Sequence, residues 1–146
     1  AEMSAGMAEP YLKKIKEISL SCRQEILEAV KRHSKGRKKD SKLTQVFQDA
    51  DRLDALGVIG IARSILGARN MPFCSSPVSF KTKYLSRDEI DAKKDRGEEP
   101  YNDAITCIIF AKSLYRAMNT KSGKILGKSL ARKMDKFLSQ LKKELL

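Results

Sequence analysis

Gln48-Asp49-Ala50-Asp51-Arg52-Leu53-Asp54-Ala55-Leu56-Gly57-Val58-Ile59-Gly60-Ile61-Ala62-Arg63 sets three carboxylates within six residues before an almost wholly apolar run. Read as a helix, it places Asp51 and Asp54 on one face and Val46, Ala50, Leu53 and Ile61 on another. Gly57 and Gly60 lower helix propensity, and their presence predicts a neighbouring backbone in close contact. A helix that is apolar nearly all round belongs in the middle of a bundle. The carboxylates at its entrance are then expected to be partly buried, and buried carboxylates need a cation, a base or a metal. The same spacing also suits first-turn residues that face water and are favoured by the helix dipole.

Outward from this stretch, residues Leu43 to about Gly67 read as one organising helix. Arg63 lies twelve residues beyond Asp51, about 18 Å along the axis, and reads as a salt-bridge partner within the bundle. Upstream, Met3 to Glu9 is helical, and Pro10 either starts a new helix or kinks this one. Leu12, Ile15 and Ile18 continue at helical spacing. Ser21 with Gln24 three residues on reads as a capping box, opening a helix whose buried stripe is Cys22, Ile26, Ala29 and Val30. His33 follows on the same side, one turn after Ala29. It is either a helix C-terminal residue bonded to a carbonyl or an imidazole near Asp51 that meets a metal or a phosphate. Lys35 to Lys42 is a basic loop, either a solvated connection or the rim of an anion site.

Downstream, Asn70 to Ser86 carries Pro72 and Pro77 and reads as a long loop. Its Phe73, Phe80 and Tyr84 are expected to pack over the core rather than stack on a base. Arg87 to Glu99 reads as a short charged surface helix or insert. Asn102 to Met118 is helical, with Ile105, Ile108, Ile109 and Leu114 apolar. Asn119-Thr120 breaks it, and Thr120 can cap a final helix that buries Leu126, Leu130, Met134, Phe137, Leu138, Leu141 and Leu145. These readings predict an all-α fold: one domain, a bundle of about five to seven helices around the helix that starts near Thr44.

The chain has 146 residues, with 30 Lys and Arg against 18 Asp and Glu, for a net charge of +12. Such an excess attracts nucleic acid, anionic lipid or small phosphorylated substrates. Lys121, Lys124, Lys128 and Arg132 form a stripe that is either the solvated face of an amphipathic helix or a phosphate-backbone contact. No aromatic or Asn/Gln pattern accompanies it for reading bases. No run of eighteen apolar residues predicts a membrane span, and no signal-peptide pattern opens the chain. Cys22, Cys74 and Cys107 form no CxxC pair, and one histidine cannot complete a zinc site with them. Reduced, mostly buried thiols in a cytoplasmic protein are expected. Gly-rich phosphate loops and GxSxG are absent, which excludes P-loop, dinucleotide-binding and nucleophile-elbow hydrolase readings.

Asp49 to Gly57, followed by Ile59 to Arg63, resembles the second half of the HD-domain metal-dependent phosphohydrolases. The resemblance is to the small bacterial and archaeal branch whose signature reads roughly DADRLDAIGAIGIAR. Two weaker echoes accompany it: Ile26 to Ser34 resembles the family's helix ending in His-Ser, and Ala117 to Gly123 resembles its late Met-Asn-Thr turn. Together they run from about Met7 to the end of the chain, the last two thirds of such a protein. The family's first metal-binding histidine and its His-Asp pair correspond to positions before Ala1.

The resemblance implies an HD-domain-like helical bundle over residues 1–146 that lacks its N-terminal metal-binding helices. It implies a divalent-metal-dependent phosphohydrolase that acts, as part of the complete protein, on a nucleotide or another phosphate ester. Asp51 would be a metal ligand. Asp54 and Asp49 would orient water or the ligands, and His33 with its neighbouring lysines would hold the phosphate. The ion would be manganese, iron, cobalt, nickel, zinc or magnesium, polarising a phosphoryl oxygen and lowering the pKa of a bound water. The opposing expectation is a non-catalytic basic helical module that binds nucleic acid or another polyanion. Neither reading fixes an oligomeric state.

Overall fold

Short polar side chains set where the helices begin. The computed structural model describes residues 2–33, 40–75, 80–81, 85 and 87–145, and among them the fold is all-α with no strand. Its helices are α1 (Glu2–Lys14), α2 (Leu20–Arg32), α3 (Lys42–Asp54), α4 (Gly57–Gly67), α5 (Arg87–Asp95), α6 (Ala104–Ser113) and α7 (Lys121–Leu145), with a 3-10 turn at Leu114–Ala117. Ser19 accepts from the amide of Cys22, and Ser41 from that of Thr44, each satisfying one open donor of a first turn. Asp103 and Thr106 form a reciprocal capping box at α6. Ser19 therefore caps α2, not the expected Ser21, whose hydroxyl meets that of Ser19 at 2.9 Å instead. α1 runs through Pro10 as one helix.

The organising stretch is two helices, not one. α3 stops at Asp54, and the amide of Ala55 bonds back to the carbonyls of Arg52 and Leu53. Leu56 is extended, and Gly57 takes φ +70°, a conformation that costs a residue with a Cβ. A Cβ on Gly60 would overlap the carbonyl of Ala55, so the turn closes only over bare backbone. The close approach expected at these glycines is thus made at Gly60 by the chain's own preceding turn and at Gly57 by the Leu130 side chain of α7. The break lets α3 pack on α2 and α7 while α4 packs on α6 and α7.

α6 occupies the interior in place of the expected α3–α4 segment. Ile105 and Ile108 on α6 and Met134 on α7 are fully buried, and Leu56, Ile61, Met118 and Leu138 close around them. By contrast α4 leaves Val58 70%, Ile59 66% and Leu66 72% exposed. α7 buries Met134 and Leu138 as its spacing predicts, with Leu130, Phe137 and Leu141 at the margin. Its closest approach, however, is through Gly123, Gly127 and Ala131, and Leu126 and Leu145 face outward. In α2 only Ala29 of the expected stripe is fully buried; Cys22, Ile26 and Val30 are half-buried.

Phe80 packs against the core while Phe73 is exposed, and Tyr84 lies outside the described residues. α5 is the short charged helix expected, anchored by buried Ile90. The three cysteines sit half-buried on α2, the segment after α4, and α6. Among the described residues no helix is long and apolar enough to cross a membrane.

Candidate functional site

Two neighbouring residues of α3, Gln48 and Asp49, point inward and carry the densest polar network in the described structure. Asp49 is 3% exposed. Its Oδ1 accepts the amide of Asn119 at 2.7 Å, and its Oδ2 accepts both the amide and the hydroxyl of Thr120, each at 2.7 Å. Arg52, one turn on, approaches Oδ1 at 3.4 Å. Burial pushes the Asp49 pKa up, but the bonds from Asn119 and Thr120 and the Arg52 charge together outweigh it and hold the carboxyl below its ordinary value. The carboxylate therefore stands as a fixed charge at the start of α7, where the helix dipole favours it. Thr120 completes the turn by accepting from the amide of Gly123 at 2.9 Å, the capping role its sequence position predicts. Gly123 is part of the same fit: a Cβ there would lie 2.8 Å from Cγ of Asp49.

Gln48, fully buried, extends the network to α2. Its Nε2 donates to the carbonyl of Arg32 at 3.0 Å and to Asp40 Oδ2 at 2.9 Å, while its Oε1 accepts from Asn119 Nδ2 at 2.9 Å. Arg32 pairs with Asp40 at 2.5 Å. The roles of Gln48, Asp40 and Asn119 went unread in the sequence. The one available signal was Asn119-Thr120 before a long amphipathic helix, a start whose donors call for an acceptor.

The candidate catalytic and metal-ligating residues lie elsewhere. Asp51 is exposed and makes no hydrogen bond or ion pair among the described residues. Asp54 is exposed and paired across the α3–α4 break with Arg63, whose Nη1 also reaches the Asp54 carbonyl at 3.3 Å. Of the three carboxylates expected to be partly buried, only Asp49 is. The segment ends at Asp54 in a tight turn, which leaves Asp51 and Asp54 on the solvent side.

His33 ends α2, and its Nδ1 donates to the Val30 carbonyl at 2.7 Å, the helix-terminal arrangement. A carbonyl oxygen only accepts, so that bond requires a proton on Nδ1. Its ring meets Phe47 edge-on at 6.3 Å between centroids. Phe47 is one turn before Asp51, so His33 and Asp51 share a side of α3 without touching. The loop expected to form a basic rim falls mostly at 34–39, outside the described residues.

A hollow of about 420 Å³ opens between α3 and the start of α7, lined by Lys42, Val46, Leu53, Lys121 and Leu126 and bordered by Asp49. Asp51 does not line it. Among the described residues no group of three or more His, Cys, Asp or Glu is placed to hold a metal ion. The described residues thus do not make a metal site by themselves; of the three clustered aspartates only Asp51 offers an open carboxylate. Burial and the nearby Asp103 push the Cys107 thiol up, so it is a poor nucleophile at neutral pH.

No family model matches the chain, and no curated protein does. Among solved structures it is similar to a structural-genomics target from Lactobacillus plantarum, at 25% identity and a TM-score of 0.68. The match covers 97% of this chain and 67% of that one. That protein carries no functional name. The comparison supports the helical architecture.

Proposed function

We propose that these 146 residues form the greater part of a divalent-metal-dependent phosphohydrolase that acts on a nucleotide or another phosphate ester. The observation that carries the reading is the Asp49–Arg63 sequence, with its resemblance to the HD-domain phosphohydrolases. The exposure of Asp51 supports it, since a ligand has to be open to an ion, whereas Asp49 is committed to α7 and Asp54 to Arg63. In this reading Asp51 gives one metal-ligating carboxylate and polypeptide outside these residues gives the rest. Asp54 stays a catalytic candidate only if its exposed pair with Arg63 opens, and such pairs are worth about 0–1 kcal/mol. His33, whose ring meets Phe47 one turn before Asp51 on α3, is the candidate phosphate contact. A cytoplasmic location belongs to the same reading.

The test is metal content and turnover of the full-length polypeptide, beside an Asp51→Ala variant. Generic phosphomonoesters and a nucleotide panel are assayed with several divalent ions. Bound metal and turnover, both lost in the variant, bear the reading out. Absence of both in the parent protein sinks it.

One feature favours a second reading. Lys121, Lys124, Lys128 and Arg132 are all exposed along α7, as a polyanion-binding stripe requires. Affinity for generic DNA or RNA that falls steeply with salt is its signature.

A further inference from the structure

α7 and the α3–α4 pair enclose a continuous apolar trough with a cationic rim. Two adjoining hollows share Leu53. The first, about 420 Å³, is walled by Val46, Ala50 and Leu126, and the second, about 250 Å³, by Leu56, Val58, Ile59 and Leu130. Much of this wall is open: Val46 is 48% exposed, Leu126 53%, Val58 70% and Ile59 66%. Scattered apolar residues on a surface need no explanation, but a contiguous strip with a polar border marks an interaction site.

Lys42 and Lys121 border one hollow and Lys133 the other, and none of the three pairs with a carboxylate among the described residues. The two acids that line the hollows are already engaged, Asp54 by Arg63 and Asp49 by the α7 turn. From Lys121 to Lys133 the trough follows α7 for twelve residues, about 18 Å, a little over three turns of helix.

We infer that this trough seats an amphipathic helix from a partner polypeptide, with apolar anchors at helical spacing facing the trough and acidic residues along both edges. An apolar helix face laid into an apolar groove, read through anchors at i, i+3/i+4 and i+7, is a recurring mode of recognition. The free lysines select the sign of the edges. A second copy of this chain is a poor occupant, because a net charge of +12 repels its like. The inference does not rest on the phosphohydrolase reading, since Asp51 lines neither hollow.

The probe is a labelled sixteen-residue synthetic helix with leucines at the anchor positions and glutamates on its flanks. It is titrated with the 146-residue chain by fluorescence anisotropy, beside a twin carrying lysine in place of glutamate. The glutamate peptide is expected to bind 1:1 and the lysine twin at least about tenfold more weakly. Val46→Asp and Val58→Asp, at exposed positions that leave the core intact, should each weaken binding by about tenfold or more. Met7→Asp, at an equally exposed apolar position on α1, should leave it unchanged. Equal binding of both peptides, binding of neither, or loss that does not follow the trough substitutions would overturn the inference. So would a concentration-dependent dimer that Val58→Asp dissolves, which would make a second copy the occupant.

Discussion

Exchanging Asp49 for asparagine removes a charge while keeping nearly the same shape, and its cost follows from the bonds around it. The carboxylate accepts three hydrogen bonds at 2.7 Å from Asn119 and Thr120. Bonds to a charged group are worth roughly 1.5–3 kcal/mol each. An asparagine oxygen keeps one or two of them, but its amide turns donors toward donors and leaves a buried N–H without an acceptor. Such contributions overlap rather than add, so a net loss of about 3 kcal/mol is expected. A domain this size has a urea m-value of about 2 kcal/mol per molar, so the unfolding midpoint should fall by about 1.5 M. Asp51→Asn, two residues away but exposed and unbonded, should stay within about 0.5 kcal/mol of the parent. The assay is urea unfolding followed by far-UV circular dichroism on both variants. If Asp49→Asn unfolds at the parent midpoint, or if Asp51→Asn is the destabilised one, the assignment of Asp49 as the anchor of α7 is wrong.

Three further outcomes follow from the same geometry. Because the Asp49 pKa is lowered in the folded state, its stabilisation is fully present above the unfolded value of about 3.9 and is lost as pH falls through the folded one. The stability gap between parent and Asp49→Asn should therefore stay level from about pH 7 to pH 5 and close below about pH 3.9, as read by unfolding at stepped pH. Gly123→Ala drives a methyl into the Asp49 carboxylate and should cost about 1–3 kcal/mol; calorimetry should show the loss shrinking in an Asp49→Ala background, where the obstacle is gone. Gly60→Ala meets the Ala55 carbonyl, which is backbone and cannot rotate aside, so its melting temperature should fall at least as far as that of Gly123→Ala in the same scan.

The sequence was most readable where one face meets one core. The spacing of Met134 and Leu138 on α7 identifies buried positions because that helix has a single interior side, whereas α6 is covered all round and its apolar residues need no particular spacing. It failed at Ala55–Leu56, since a glycine at +70° in a break and a glycine in a helix look alike in one dimension. The same loss misplaced the centre of the bundle. An apolar run such as Val58 to Leu66 reads as buried whether its outer face is covered or not, and here much of it is open. The three clustered aspartates were visible at once, but their different fates were not. Asp49 is separated from Asp51 by a partner 70 residues away, the Asn119 amide, which no local pattern reveals.

The bonds from Asp49 to Asn119 and Thr120 also close a long ring of chain. Everything between them, including the α3–α4 break, α5 and α6, is a loop whose two ends are pinned at one point. The entropy of closing such a ring grows only with the logarithm of its length, so even doubling the enclosed chain would cost roughly 0.6 kcal/mol. An insertion beside the exposed, charged α5 should therefore be borne far more easily than a single methyl at Gly123. The clasp is intolerant of change, while the exposed chain beside α5 has room to grow.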